Sequence, residues 1–313
     1  MHYGFGVDLG GTTVKIAWFN EMGNMLDKWE IPTITENDGA RILPDIAAAI
    51  LKYLEEKRID RRNVIGIGIG VPGAVNGSGE VNKCINLGWD YIFNIEQALS
   101  QLTGLKVKAG NDANVAALGE AWKGSGNGCE NMVLATFGTG VGGGIVVNGK
   151  LLTGVHGAGG EIGHLVVNTK ETERCACGKF GCVEQYCSAT GIVRLAKQQL
   201  AAGTSSALRN SEPLTCKDVF DAGKAGDELA LAVLEQVYDY MGQFLANVCC
   251  AVDPQIVVLG GGVSKAGQIL LEGAKKYFDR YIFHASSTIT FALATLGNDA
   301  GAYGAFKLVL DEV

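Results

Sequence analysis

Short apolar runs rich in β-branched and aromatic residues open the chain, each ending in a polar or glycine-containing break. Phe5 to Asp8, Val14 to Asn20 and Met25 to Ile31 fit strands, with "EMGN" as the turn joining the last two. The rhythm then changes. Ile42, Ile46, Ile50 and Leu54 fall on one face of a helix predicted from about Ala40 to Lys57. Val64 to Val71 returns to a strand, and "PGAVNGSGE" after it reads as a loop. From Asn131 the opening pattern recurs as "MVLATFG", a glycine-rich turn and "GGGIVVNGKLL", whose "NG" suits a hairpin. Helical periodicity dominates after Glu184, interrupted by the strand "QIVVLGG" and a short β stretch near Thr288 to Ala294. The pattern from Lys217 to Ala251 is too long for one ordinary helix and predicts a break, with "AGKAGD" as the natural place.

Composition narrows the class. At 313 residues the chain has room for two domains, since single cores seldom grow past ~250–300 residues. Its 47% hydrophobic and 19% charged content is that of a soluble globular protein, and no apolar run reaches the ~18 residues of a membrane-spanning helix. The start, "MHYGFGVDLGGTTVK", lacks the basic and apolar regions of a signal peptide, so a cytoplasmic location is expected. A net charge of −7 without any concentration of Lys and Arg argues against nucleic acid as a partner. Nine cysteines, an odd number, point to reduced thiols or metal ligands rather than a disulfide framework. Six of them (Cys84, Cys129, Cys187, Cys216, Cys249, Cys250) are scattered or merely adjacent and read as small buried hydrophobes.

Forty-five glycines, about twice the ~7% average usage, follow apolar runs in "VDLGGTT", "ATFGTGVGGGIVV", "GVHGAGGEIGH" and "IVVLGGGVS". Backbone N–H groups in such turns form concave anion sites, and Thr12, Thr13 and Thr139 add hydroxyl donors. Tight turns without a ligand are the alternative, which three separate glycine runs disfavour. "GTGVGG" fits the dinucleotide pattern at Gly138, Gly140 and Gly143, but a strand follows where that fold needs a helix. "GIVVNGKL" fails as a phosphate loop because Leu151 stands where a Ser or Thr would hold Mg²⁺.

Two further segments carry candidate chemistry. Cys175, Cys177 and Cys182 form C-x-C-x4-C, Gly178 and Gly181 let the loop fold back, and His164 lies eleven residues earlier. Four such ligands would close a structural zinc site, against the alternative of three reduced surface cysteines. Glu161 and Glu184 flank the set, so a bound zinc would fix both carboxylates relative to one another. In "GNDAN", Asp112 sits between a β-like stretch and a helical pattern, where it would serve as a general base or as the helix cap.

"DLGGTTVK" (Asp8 to Lys15), "FGTGVGGG" (Phe137 to Gly144) and "LGGGVS" (Leu259 to Ser264) resemble the two phosphate motifs and the adenosine motif of the actin-like, hexokinase-type ATPase fold. With "NDANVAALGE", "GAGGEIGH" and "CACGKFGCVE", the chain is similar to bacterial glucokinases of the ROK (repressor, open reading frame, kinase) family. That resemblance implies an α/β protein with two domains of the actin-like ATPase (ribonuclease H-like) fold and a cleft between them. Residues 1–112 plus 299–313 would form the small domain, and 113–298 the large one with the zinc loop. It further implies transfer of the γ-phosphoryl of MgATP to the 6-hydroxyl of glucose. Asp112 would take the hydroxyl proton, and Gly73, Asn86, Asn111, Asp112, Glu161, His164 and Glu184 would bind the sugar. Asp8 would orient Mg²⁺ through water. Gly10, Gly11, Thr12, Thr13, Lys15, Gly138 and Thr139 would hold phosphates, and Gly261 and Gly262 the nucleoside. His164, Cys175, Cys177 and Cys182 would hold Zn²⁺. Gly110 departs from the glutamate that the family often places before this Asn-Asp pair. A homodimer or a tetramer is the expected assembly. Kinases of fructose, allose, N-acetylmannosamine or N-acetylglucosamine, and polyphosphate as donor, are alternatives within the family. So is a sugar-sensing repressor, although the first phosphate motif at Asp8 leaves no room for a preceding DNA-binding domain.

Overall fold

In a computed structural model of the protein, which describes residues 2–312, the chain divides into two units. Met1 and Val313, the outer ends of the expected small domain, lie outside the described residues. The first unit comprises Met1–Gly128, Gly144–Gly160 and Leu296–Val313, and the second Cys129–Gly143 and Glu161–Thr295. The elements before the first boundary are β1 (Tyr3–Leu9), β2 (Thr13–Asn20), β3 (Met25–Pro32), α1 (Ile42–Glu56), β4 (Val64–Val71), β5 (Ala74–Val75), β6 (Glu80–Cys84), β7 (Trp89–Asn94), α2 (Ile95–Thr103), β8 (Val107–Asn111) and α3 (Asp112–Lys123). Then come β9 (Met132–Phe137), β10 (Val141–Val147), β11 (Lys150–Leu151), α4 (Glu184–Cys187), α5 (Ala189–Ala201), α6 (Cys216–Lys224), α7 (Glu228–Val252), β12 (Ile256–Gly260), α8 (Gln268–Tyr281), β13 (Thr290–Leu293) and α9 (Ala300–Leu310).

The first unit is built on a sheet in the order β3-β2-β1-β4-β8. Its first three strands are antiparallel, as hairpin-length connections require, and β4 and β8 continue it in parallel with β1. The sequence of β4, "VIGIGIGV", explains how both faces are covered. Side chains alternate across a strand, so Ile67 and Ile69 enter the core with Ile46 and Ile50 of α1, while the intervening glycines line the opposite face. There α9 lies directly on the sheet, and a Cβ on Gly68 would stand 1.6 Å from the Ala305 carbonyl oxygen. Alanine at that position would force the helix away, at a cost of about 1–3 kcal/mol or more. Phe306 of α9 closes this face by stacking on Phe19, with ring centroids 4.9 Å apart.

Strands β1, β4 and β8 are parallel and in register at their carboxyl ends, with Asp8 beside Gly70 and Val71 beside Asn111. Ligands of α/β sheets gather outside those ends. The segment read as a loop is instead partly strand. Ala74–Val75 pairs with Val81 and Asn82, and β6 pairs with β7 in a small antiparallel sheet. Asn76 makes the turn, its Oδ1 accepting the N–H groups of Ser78 and Glu80, which is the local bonding that lets so short a hairpin form.

In the second unit β12 runs parallel to both β9 and β13, fully buried as its unbroken "IVVLG" demands. Helix α7 continues for 25 residues, and the break before it falls at 225–227, within "AGKAGD". Asp227 caps α7 by accepting the Ala230 N–H at 3.0 Å. Among the described residues no helix is long and apolar enough to cross a membrane.

Candidate active site

In the first unit the turn between β1 and β2 is closed by its own backbone. Gly10 N–H donates to Thr13 O at 3.0 Å, and Thr33 Oγ1 donates to Gly10 O at 2.7 Å, leaving Gly11 and Thr12 exposed at the tip. Asp8 and Lys15 face one another across the hairpin, and their side chains pair at 3.2 Å. Both are partly exposed, so the pair contributes little to stability.

The end of β8 runs straight into α3, which places Asn111 and Asp112 at a strand-to-helix corner. The cap of α3 is Asn111 rather than Asp112. Its Oδ1 accepts the N–H groups of Ala113 (3.0 Å) and Asn114 (3.1 Å), and its Nδ2 donates to Gly73 O at 3.2 Å. With capping done by its neighbour, Asp112 is the half-buried acidic residue of the first turn, with Oδ1 2.8 Å from the Ala113 nitrogen. Gly73, Asn111 and Asp112 are thereby brought together. Asn86 is exposed in the short turn after Cys84, whose Sγ donates to Pro72 O at 2.6 Å. Burial, and next the charge of Asp112, push the Cys84 thiol up to about 11. Sequence reading treated Cys84 as a scattered buried thiol and missed this neighbourhood, for which no local motif exists.

In the second unit Gly138 and Thr139 form the turn between β9 and β10. Gly138 N–H donates to Gly140 O at 2.9 Å, and Thr190 Oγ1 braces the exposed Thr139 through its carbonyl at 2.8 Å. Gly261, at φ +80°, and Gly262 begin a short helical turn after β12. A cavity of about 420 Å³ opens beside it, lined by Gly262, Val263 and Ala266 and by Cys216 and Phe220 of α6. Its size and mostly apolar lining suit a small ligand with a flat apolar part.

His164, Cys175, Cys177 and Cys182 converge, with one donor atom from each lying within 4.8 Å of all the others. The Sγ atoms of Cys177 and Cys182 are 3.6 Å apart, too far for a disulfide and close to the ~3.8 Å that two thiolates span on tetrahedral zinc. Cys175 and Cys182 are buried and Cys177 is exposed. Burial, and next the neighbouring thiols, push Cys182 up to about 12. Burial opposes ionisation of Cys177, but the Lys179 N–H and the adjacent thiols draw it below the ordinary thiol range. Such a donor set fits a divalent cation that replaces thiol protons. His164 points Nδ1 at the cluster, 3.9 Å from Cys175 Sγ, and Nε2 away, 4.0 Å from Glu161 Oε2. One ring can thus serve the metal with one nitrogen and a ligand with the other.

Glu184, the first residue of α4, accepts the Val141 N–H through Oε2 at 3.0 Å, and its Oε1 lies 3.8 Å from Cys175 Sγ. The approach is close enough that a Cβ on Gly140 would stand 2.2 Å from Oε2. The loop before the cysteines is anchored separately by Glu171, which accepts from Tyr186 Oη and from Arg194 at 2.9 Å. Burial alone would raise the Glu171 carboxyl, but these bonds and the N–H groups of Glu173 and Thr172 outweigh it and hold it at about 2.

The ROK family profile matches residues 4–312. A glucokinase of Halalkalibacterium halodurans is 45% identical over 310 residues, covering 97% of this chain and 94% of that protein. One from Thermotoga maritima is 35% identical over 314 residues, covering 98% and 97%. The crystal structure of a ROK family glucokinase from Streptomyces griseus in complex with glucose and AMPPNP superposes with a TM-score of 0.76, at 32% identity and 98% coverage of each chain.

Proposed function

The chain belongs to the ROK family and has its actin-like ATPase fold, and on that premise we propose that it is an ATP-dependent glucokinase forming glucose 6-phosphate. The observation that carries the reading is 45% identity to a glucokinase across nearly the whole chain, with an acidic residue, Asp112, on the first turn of a helix capped by its neighbour.

In this reading Asp112 accepts the proton of the 6-hydroxyl as the γ-phosphoryl arrives. Asn111, already holding Gly73, orients the sugar beside it, and Gly73 and Asn86 complete that side. Glu161, the Nε2 of His164 and Glu184 accept or donate to the remaining hydroxyls, while the cysteine loop keeps them in place. Gly11 offers a backbone N–H to the phosphates, assisted by Thr12, Thr13, Thr139 and Lys15, while Gly10 and Gly138, whose own N–H groups close their turns, let the phosphates approach the backbone. Gly262 borders the cavity proposed for the nucleoside, and Gly261 precedes it in the same turn. Asp8 would orient magnesium through water, and the ion would supply positive charge to the phosphates. His164, Cys175, Cys177 and Cys182 would hold zinc, which would supply rigidity rather than chemistry because four protein ligands leave no open position. Nine free cysteines agree with a reducing, cytoplasmic setting. A homodimer or tetramer is the proposed assembly, which gel filtration tests.

The deciding experiment is a coupled assay of ADP release with MgATP and, separately, glucose, mannose, fructose, N-acetylglucosamine and N-acetylmannosamine, beside Asp112→Asn. Turnover is expected with glucose foremost, and kcat falls about 10²–10⁴-fold in the variant, the usual contribution of a general base. Preference for an N-acetyl sugar would overturn the substrate. Full activity in Asp112→Asn would overturn the base.

A further inference from the structure

Helix α3 does more in the first unit than carry Asp112. The chain passes between its units four times, at Gly128/Cys129, Gly143/Gly144, Gly160/Glu161 and Thr295/Leu296. On the first unit's side, each passage is tied to this one helix. Glu120, only 1% exposed, reaches two of them. Its Oε2 accepts the Ser125 N–H at 2.9 Å, three residues before the first passage, and its Oε1 accepts the Leu296 N–H at 2.8 Å, at the last. Asn114, also buried, donates from Nδ2 to Gly159 O at 3.1 Å, one residue before the third. Gly144, at the second, lies against Ala113 and Ala117.

We propose that Glu120 is a positioning residue for phosphoryl transfer, which pins both outer passages to the helix that carries Asp112 and so holds that helix, and the base on it, in place. This rests on the kinase reading above. Burying a carboxylate is costly unless its bonds are satisfied, and here each oxygen takes a backbone N–H from a different passage. A glutamine of the same shape accepts through one oxygen only, so one of the two N–H groups would face an amide NH₂ and that passage would be released. Slack in this helix matters because misplacement of reacting groups by ~1 Å can cost ~10²-fold in rate. A sugar hydroxyl poorly placed for the base would also let water compete as the acceptor.

The test compares Glu120→Gln with the wild type at a temperature where both are folded. The kcat/KM for glucose is expected to fall at least about tenfold, and ADP formed per glucose 6-phosphate to rise above the wild-type ratio as water intercepts the phosphoryl group. A residue serving only the fold would lower Tm and leave both quantities unchanged, and that result would overturn the proposal. Hydrogen exchange on the wild type decides the clamp even where the variant does not fold: the Ser125 and Leu296 amides should be as protected as those inside α3, and rapid exchange at either refutes it. Absence of any sugar phosphorylation by the wild type would instead defeat the glucokinase reading, with the exchange data still judging the clamp.

Discussion

Replacing Gly140 by alanine separates the effect of this turn on binding from its effect on folding. The new Cβ would meet Glu184 Oε2 at 2.2 Å, so the carboxylate must retreat by roughly 1 Å to reach ordinary contact. That movement breaks its 3.0 Å bond from the Val141 N–H. A hydrogen bond to a charged group is worth about 1.5–3 kcal/mol, which corresponds to roughly 10–150-fold in affinity if Glu184 must hold the sugar from that position. Stability should fall by about 1–3 kcal/mol, because the buried Val141 N–H loses its partner. Gly140 lies outside the left-handed region, and the displaced atom is the end of a flexible side chain rather than core. Steady-state kinetics varying glucose and ATP separately, with a thermal melt, measure all three. The glucose KM should rise about 10–150-fold, with the ATP KM within about threefold and Tm lowered by only a few degrees. An unchanged glucose KM, or a rise confined to ATP, would refute the coupling of this turn to Glu184.

Metal analysis of protein never exposed to chelator should find about one zinc per chain, and less than about half would refute the four-ligand site. Stripping it under reducing conditions is expected to raise the glucose KM by about 10–100-fold, reversibly, because His164 and Glu184 lose their anchor. Glu171 makes stability acid-sensitive in a defined window. Its folded pKa of about 2 lies below the ordinary 4.5, so its contribution is complete above about 4.5 and disappears as pH falls toward 2. Urea midpoints across that range should fall less in Glu171→Gln than in the wild type, and parallel curves would refute the assignment.

The parts of the molecule most legible in the sequence were those whose physics is local. The alternation in "IGIGIGV" specifies a strand with one isoleucine face and one bare face, and the cysteine spacing brings its ligands together within a single loop. The break before α7 followed from Gly226 and the capping Asp227. Pairing that depends on distant residues was not legible. The β5 to β7 sheet hid in a glycine-containing stretch because strands of two and five residues carry too little periodicity. The cap at Asn111 and the base candidate at Asp112 are adjacent and chemically alike as cap formers, so only geometry separated them. Glu120 gives no sequence signal at all, since its partners, Ser125 and Leu296, offer only backbone.

The position of α9 bears on how the chain is made. It covers the glycine face of β1 and β4, yet it is synthesised almost 300 residues after β1 and after every other described element. At about 5–20 residues per second, the ribosome needs roughly 9–35 s after finishing α3 to deliver it. Throughout that interval Phe19 lacks Phe306, and one side of the sheet has nothing to close it. The first unit therefore completes its packing only after the whole second unit has emerged, which reverses the N-terminal-first order of ordinary two-domain synthesis and leaves the early sheet a natural client for chaperones.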